Sequence, residues 1–173
     1  TQVPYQVQVD RLIRLSEEQA TDNTRWVIWP ETALHKGMDE KEALMSTDIQ
    51  QTQRFVQQHP NLAVLTGLDS HVWYTDSSQY TPTMRFYEGY GYYDKFGSAA
   101  LISSGNQIEF YHKSKLVIGA ETIPFRPILK PLMLNFGGTA GGLGSQEERE
   151  VFLHDGAKAA PVICYESVYG DYM

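Results

Sequence analysis

The sequence predicts one α/β domain in which helices pack against a largely buried sheet. A short run of β-forming residues, "RWVIW" at 25–29, precedes a helical pattern at 39–58, and the continuous apolar run "NLAVLTG" at 61–67 follows it. This order of strand, helix and strand is typical of a sheet with helices against its faces. A chain of 173 residues, 42% hydrophobic and 20% charged, is also long enough to bury a core within a single domain.

The composition argues against several kinds of partner. Fourteen basic residues against twenty-one acidic ones give a formal net charge of −7, and no stripe of Lys or Arg interrupts the chain, so nucleic acid is not expected as a partner. No apolar run approaches the roughly 20 residues that a membrane-spanning helix needs, and the N-terminus lacks the pattern of a signal peptide. Five scattered histidines and one cysteine provide no metal-ligand spacing, so we expect no metal and no cofactor.

Hydrophobic periodicity predicts two helices. The first runs from Pro4 to about Thr21, and the second from about Asp39 to Gln58, where "HPN" closes it. The residues predicted to face inward are Val9, Leu12, Ile13 and Ala20 in the first helix and Met45, Ile49, Thr52 and Val56 in the second.

The remaining sequence predicts strands separated by long loops. "AALISS", "GNQ" and "IEFYHK" form one predicted β-hairpin, and "VFLH", "DGAK" and "APVICYE" form a second, with Asp155-Gly156 as its turn. Before the first hairpin, the tyrosine-rich stretch from Thr75 to Phe96 indicates a long surface excursion. Between the hairpins, the prolines and glycines of residues 116–150 indicate an irregular loop, whose "GGTAGGLG" lacks the spacing of a nucleotide-binding motif.

Three residues have the chemistry that a single site needs. Taken alone, Glu31 fits the first turn of a helix, Lys113 a solvated charge, and Cys164 a small core residue. Each nevertheless closes a predicted strand, and in open α/β sheets sites form at the carboxyl ends of strands. A thiol, a carboxylate and an ammonium supply the nucleophile, the base and the oxyanion stabiliser of acyl transfer. We therefore predict that Cys164, Glu31 and Lys113 take these three roles in that order.

The same residues carry a family resemblance. "WPETA", "YHKSKL" and "VICYE" resemble the three signature segments of the nitrilase, or carbon-nitrogen hydrolase, superfamily, in the order Glu, Lys, Cys. The resemblance implies that Glu31 is the general base, Lys113 the catalytic lysine and Cys164 the nucleophile. It also implies a nitrilase-like αββα sandwich. Lys115 departs from the pattern, because many members carry histidine there.

Within this superfamily the sequence is most similar to the apolipoprotein N-acyltransferase family. The similar segments are "YYDKFGSAALIS", "YHKSKLVIGAETIPF", "GGLGSQEEREVF" and "ICYESVYGDYM". The resemblance implies that Glu121 and Glu166 are supporting carboxylates of the site. It also implies that residues 1–173 form one partial domain, an incomplete αββα sandwich, with the membrane segments of such an enzyme outside this chain.

The family's reaction defines what we expect of this protein. A fatty acyl chain would move from a phospholipid, through a cysteine thioester, to the N-terminal amine of a diacylglyceryl-lipoprotein, on the periplasmic side of the bacterial inner membrane. Two alternatives stay open. The same three residues suit a nitrilase-like amidase that finishes with water, and the chain also suits a catalytically inert binding or structural fragment. The sequence does not indicate an oligomeric state.

Overall fold

The computed structural model describes residues 5–34, 37–118, 120–122 and 142–170. Two α-helices, α1 (Tyr5–Gln19) and α2 (Thr47–Gln58), pack on one face of a six-stranded mixed sheet. A separate two-stranded sheet contributes to the cover of the opposite face. The strands are β1 (Trp26–Ile28), β2 (Met38–Asp39), β3 (Ala63–Tyr74), β4 (Arg85–Tyr87), β5 (Gly91–Ile102), β6 (Ile108–His112), β7 (Phe152–His154) and β8 (Ala157–Ala159).

The first helix agrees with its prediction, and the second begins later than predicted. In α1, Val9 is fully buried in the core, as its periodicity indicated. Helix α2 begins at Thr47 rather than near Asp39, because Asp39 pairs with β3 and its side chain then accepts the N–H of Lys41 in a turn. Asp favours such local turns over helix interiors. Met45, predicted to face inward, consequently lies in a short 3-10 turn before α2 and is 77% exposed.

The centre of the sheet is a long antiparallel hairpin formed by β3 and β5. Its register runs from Val64 paired with Ile102 to Tyr74 paired with Tyr92. The predicted surface excursion from Thr75 to Phe96 is therefore too long, since β5 already begins at Gly91. Cross-strand aromatic pairs suit a pleated surface, and this explains why the tyrosine-rich segment continues the sheet.

Both predicted hairpins form, but the second one ends early. Strands β5 and β6 pair from Ser98 with His112 to Ile102 with Ile108. In the turn between β7 and β8, Asp155 and Gly156 have φ values of 48° and 72°, as a type I′ turn requires. The predicted strand "APVICYE" is wrong, because β8 stops at Ala159 and Cys164–Val168 form a 3-10 helix. Pro161 removes a ladder donor at this point.

Alternation along the strands gives the sheet two distinct faces. The helix face, defined by Val64, Leu68, Ala100 and Ile102, packs against α1 and α2. The site face, defined by Ala63, Leu65, Ala99, Leu101 and Tyr111, is covered by Phe152 and Ile163. Cys164 follows Ile163 directly, so the structure places the cysteine segment on the site face.

Most of the predicted proline- and glycine-rich loop lies outside the described residues, including Pro124, Pro127 and Pro131. Its described end, 142–144, packs closely on the sheet. A Cβ at Gly144 would lie 2.4 Å from the ring of Phe96, and the Gly144 N–H donates to the carbonyl of Lys95 at 2.8 Å. Glycine is required there because no side chain fits between the segment and β5.

Candidate active site

The carboxylate of Glu166 is fully buried and accepts hydrogen bonds at both oxygens. Its Oε1 accepts the hydroxyl of Tyr111 at 2.6 Å and the backbone N–H and hydroxyl of Ser114 at 2.8 and 2.9 Å. Its Oε2 accepts the backbone N–H of Ile163 at 2.8 Å. Burial raises the pKa of this carboxyl, but hydrogen bonds from Tyr111, Ile163 and Ser114 outweigh burial, so its pKa lies below the ordinary glutamate value. Glu166 therefore fastens the cysteine segment to the end of β6 as a carboxylate.

Cys164 lies at a sharp backbone turn held by this anchor. Its φ is 48°, in the left-handed region, and its side chain is exposed. A non-glycine residue in this conformation costs about 1–2 kcal/mol and needs support from its surroundings. The hydroxyl of Ser167 donates to the Cys164 carbonyl at 2.7 Å, and Glu166 holds the preceding residue, Ile163. The turn presents the only thiol of the chain to solvent.

Lys113 follows β6 and is buried with a carboxylate partner. Its backbone N–H donates to the carbonyl of Gly97 at 2.9 Å, which continues the pairing of β6 with β5. Its Nζ lies 2.8 Å from Oε1 of Glu121, and the side chains of Lys113 and Glu121 are 1% and 21% exposed. The Oε2 of Glu121 accepts the N–H of Val117 at 2.7 Å. One of the three ammonium protons is thus used by Glu121, leaving two for other acceptors.

Glu31 follows β1 in a turn and does not begin a helix. Its backbone lies directly over Gly67 of β3, where a Cβ would come within 2.1 Å of the Glu31 carbonyl oxygen. The N–H of Gly67 donates to the Pro30 carbonyl at 3.1 Å, and the Gly67 carbonyl accepts the N–H of Ala33 at 3.1 Å. The sheet therefore fixes the backbone at Glu31 through a position that only glycine can occupy.

The register of the sheet relates the positions of Glu31 and Lys113. Gly67 pairs with Ala99, so Gly97 is its diagonal neighbour on the site face. The side chain of Lys113 lies over Gly97, with its Cδ 3.9 Å from the place of a Cβ there. Diagonal neighbours are about 7–8 Å apart. Glu31 and Lys113 consequently flank a floor made of glycine and alanine on the site face.

The three predicted residues thus share one face but differ in their contacts. Hydrogen bonds from Ser114, the residue after Lys113, reach the Glu166 anchor of the cysteine segment. Within the part of the chain that the structure describes, the exposed Glu31 carboxylate makes no hydrogen bond to Lys113 or Cys164. Of the predicted supporting residues, Glu121 pairs with the Lys113 ammonium, and Glu166 accepts the N–H of Ile163, the residue before Cys164.

A shallow aromatic pocket of about 280 Å³ continues the site face beyond Lys113. Trp73 is its centre, with ring centroids 4.7 Å from Tyr93 and 5.6 Å from Tyr90. Lys95, two residues from Gly97 along β5, supplies a cation at the pocket. The lining residues are Gly37, His71, Trp73, Tyr87, Tyr90, Tyr93 and Lys95.

Several residues of this site were not singled out from the sequence. Tyr111 and Ser114 contribute the donors that hold Glu166, and Gly67 and Gly97 form the floor. Tyr111 was visible only as the first letter of "YHK". Gly67 closes the sequence run "NLAVLTG" but lies inside β3, and a glycine within a strand often marks close approach of backbone or ligand.

The described residues offer no site for a metal ion and no membrane span. They contain no group of three or more His, Cys, Asp or Glu side chains placed to hold a metal. Neither α1 nor α2, the two α-helices in those residues, combines the length and apolarity needed to cross a bilayer.

Comparison with known proteins identifies the fold. No protein-family model matches the sequence, and no curated protein sequence matches it. Glutamine-dependent NAD+ synthetase from Acinetobacter baumannii is similar in structure, with a TM-score of 0.51 and 14% identity over 97% of this chain. XC1258 from Xanthomonas campestris, a CN-hydrolase superfamily protein with an arsenic adduct in its active site, has a TM-score of 0.52 and 13% identity over 96% of this chain.

These similarities establish the α/β fold of carbon-nitrogen hydrolase superfamily proteins, which confirms the predicted fold class. The chain spans 26% of the synthetase and 50% of XC1258. At such identities the comparison concerns the arrangement of helices and strands, and the roles of Glu31, Lys113 and Cys164 stay predictions.

Proposed function

We propose that this protein is an N-acyltransferase that carries a fatty acyl group on Cys164. The observation that carries the proposal is the anchoring of the cysteine turn by Glu166 on the same sheet face as the buried Lys113, in a carbon-nitrogen hydrolase fold. A strained, exposed thiol on the same sheet face as a fixed ammonium suits covalent acyl chemistry, because a lysine brought near the sulfur favours the thiolate.

The first half-reaction transfers the acyl group to the enzyme. Glu31 takes the thiol proton, and the Sγ of Cys164 attacks the carbonyl carbon of a phospholipid ester. Lys113 stabilises the tetrahedral oxyanion with the ammonium protons that Glu121 leaves available. The ester C–O bond then breaks, and the lysophospholipid oxygen leaves with the proton from Glu31. The products are a thioester at Cys164 and a lysophospholipid.

The second half-reaction passes the acyl group to an amine. The α-amine of a diacylglyceryl-lipoprotein attacks the thioester carbonyl, and Glu31 accepts a proton from its nitrogen. The C–S bond breaks, which releases the amide and returns the thiol of Cys164. An amine prevails over water only when the site positions it well or excludes water.

The aromatic pocket supports a lipid as the acyl donor. Tyr87 and Tyr90 are exposed at its rim, while Trp73 and Tyr93 are half-buried. Tyr and Trp side chains suit surfaces that are apolar on one side and wet on the other. The ammonium of Lys95 beside them suits the phosphate of a headgroup. We therefore propose that the protein works at the periplasmic surface of the bacterial inner membrane, on phospholipid and lipoprotein.

A second candidate is an amidase that uses the same three residues and finishes with water. It is favoured by the structural similarity to XC1258, a CN-hydrolase superfamily protein. The two candidates differ in the bond that Cys164 attacks, an ester or an amide, and in whether an amine or water attacks the thioester.

Product analysis separates the two candidates. The protein is incubated with a radiolabelled phospholipid and a synthetic diacylglyceryl-cysteinyl peptide, beside its Cys164→Ala variant. Transfer predicts labelled N-acyl peptide with little free fatty acid, and no product from the variant. If free fatty acid is the only labelled product, water attacks the thioester, and the transfer proposal is wrong. Equal activity in the variant would support the inert alternative.

A further inference from the structure

On the helix face, opposite the candidate active site, a carboxylate and an imidazole connect the elements that carry Glu31 and Lys113. The Nε2 of His112 lies 2.7 Å from Oε1 of Glu40, and the two side chains are only 22% and 14% exposed. Because a carboxylate oxygen only accepts, this nitrogen carries the proton. His112 immediately precedes Lys113, and Glu40 follows β2, nine residues after Glu31.

Glu40 is also fixed to the central strands. The hydroxyl of Ser70 in β3 donates to the same Oε1 at 2.5 Å. The hydroxyls of Ser70 and Ser98 lie 2.7 Å apart, and both side chains are 1% exposed. The hydroxyl of Ser98 therefore donates to that of Ser70, whose proton is already given to Glu40. The network crosses from the edge strand β2, over β3 and β5, to β6.

His112 is held on its other sides as well. Its ring stacks on Phe96 at a centroid distance of 3.9 Å and an interplanar angle of 11°. Its backbone N–H donates to the side-chain oxygen of Gln146 at 2.7 Å. Phe96 also contacts Gly144. The neighbouring residue Leu143 donates its N–H to the Glu121 carbonyl at 2.8 Å. The strand end that carries Lys113 and the segment that holds its partner Glu121 therefore meet at His112.

The geometry excludes a second nucleophilic centre in this network. In a serine hydrolase the imidazole lies between the hydroxyl and the carboxylate. Here Ser70 and His112 donate to the same oxygen of Glu40, and neither serine is accessible. The hydrogen-bonded network of Glu40, Ser70, Ser98 and His112 therefore cross-links strands of the sheet.

We propose that Glu40 and His112 are a positioning pair, which adds to the hold of the sheet and keeps Lys113 in place relative to the segment that follows Glu31, without touching substrate. This inference rests on the proposed roles of Glu31 and Lys113. Among the described residues, the two strands on either side of this segment, β1 and β2, pair with β3 and not with β6. A shift of one ångström between catalytic groups lowers a rate by about 100-fold. Loss of the cross-link should therefore affect the chemical step more than binding.

The experiment compares Glu40→Ala, His112→Phe and the double variant with Glu42→Ala. Phenylalanine keeps a ring on Phe96 but cannot donate, and Glu42 is an exposed carboxylate two residues from Glu40. Each single variant should lower kcat for thioester formation by about 10- to 100-fold with KM within about twofold, and the double variant should be no slower than the singles. Glu42→Ala should match the wild type. If the loss of kcat in the double variant equals the product of the two single losses, Glu40 and His112 act independently and the proposed pair is wrong.

The conservative variant Glu40→Gln tests position against fold. Its amide oxygen still accepts from His112, so its kcat should return to within about threefold of the wild type. A folded Glu40→Gln as slow as Glu40→Ala would contradict a positioning role.

Alkylation of Cys164 by iodoacetamide keeps this inference separable from the proposed function, because the chain has one cysteine. The positioning variants should lower the rate of alkylation at a fixed pH of 7, since a displaced Lys113 stabilises the reacting sulfur less. If the wild type forms no thioester yet the variants are alkylated more slowly than the wild type, the acyltransferase proposal fails and the positioning pair stands. If the wild type forms the thioester and folded variants match it in both assays, the positioning pair is wrong.

Discussion

Tyr111 donates its hydroxyl proton to Oε1 of Glu166 at 2.6 Å, which joins β6 to the cysteine turn across 55 positions of sequence. The other oxygen of the same carboxylate accepts the N–H of Ile163, the residue before Cys164. One buried carboxylate therefore connects the strand that leads to Lys113 with the turn that presents the thiol. The stability of this connection and its chemical consequence can be tested separately.

Replacing Glu166 by glutamine should make the free energy of unfolding depend less on pH in the acid range. The folded state lowers the pKa of this carboxyl, so its contribution is complete above the ordinary glutamate pKa of about 4.3 and is lost as pH falls through the lower folded value. The free energy of unfolding in urea, measured from pH 6 to pH 3, should fall less steeply in Glu166→Gln. At pH 7 the variant should lose about 1–3 kcal/mol.

The exposed Glu150→Gln is the matched control for that experiment and should follow the wild type. An equal slope in Glu166→Gln and in the wild type would mean that Glu166 is not held as a buried carboxylate.

Breaking the pair of Lys113 and Glu121 should cost more than removing both partners. Glu121→Gln leaves the Lys113 ammonium buried without its carboxylate, at a cost of about 3 kcal/mol in unfolding free energy. The double variant Lys113→Met, Glu121→Gln should recover most of this loss while staying inactive, because the proposed oxyanion stabiliser is gone. Urea unfolding and thioester formation measure the two effects.

A surface ion pair provides the comparison for Lys113 and Glu121. Arg25 and Asp155 lie 3.3 Å apart with side chains 56% and 53% exposed, so Arg25→Gln should cost less than about 1 kcal/mol. A double variant at Lys113 and Glu121 that kept wild-type activity would remove Lys113 from the mechanism.

Alanine at Gly67 should displace Glu31. The new Cβ would lie 2.1 Å from the Glu31 carbonyl oxygen, so the backbone has to move, at a cost of about 1–3 kcal/mol. Thioester formation should fall with it. At Gly97, also on the site face, the nearest atom to a new Cβ is Lys113 Cδ at 3.9 Å, an ordinary contact. Gly97→Ala should therefore keep its unfolding free energy within about 0.5 kcal/mol of the wild type. Equal stability of the two variants would contradict the described contact at Gly67.

Glycine should be better tolerated than alanine at Cys164. The φ of 48° penalises any residue with a Cβ, so Cys164→Gly should be more stable than Cys164→Ala by about 1 kcal/mol. At Ser167, whose φ is not in that region, alanine should be the more stable of the two. Thermal unfolding of the four variants measures this. A more stable alanine variant at Cys164 would show that the backbone there is not in the left-handed region.

Local sequence signals predicted the fold where the chain obeys simple periodicity. The apolar spacing around Val9 indicated α1, and Asp155-Gly156 indicated the second hairpin turn. The start of α2 was missed because Asp39 pairs with β3, a contact between residues that are distant in sequence. The length of β5 was missed for the same reason, since a tyrosine-rich segment becomes a strand only when a partner strand lies beside it.

The sequence predicted the chemistry of a candidate site, which stays a prediction, but it did not predict the geometry. Spacing after strands drew attention to Glu31, Lys113 and Cys164, although Cys164 follows no strand in the structure. Its turn depends on Glu166 reaching Tyr111 and Ser114, and no local pattern encodes those contacts. Nor does any local pattern show that Gly67 lies beneath Glu31, or that His112 meets Glu40.

The most direct test of the central claim is intact-protein mass spectrometry after incubation with phospholipid in detergent and without an amine acceptor. Cys164→Ser is measured in parallel, with folding of both proteins checked by circular dichroism. We expect an added mass equal to one acyl chain on the wild type alone, removed by hydroxylamine. A folded wild-type protein that gains no such mass would contradict the thioester and the acyltransferase proposal with it.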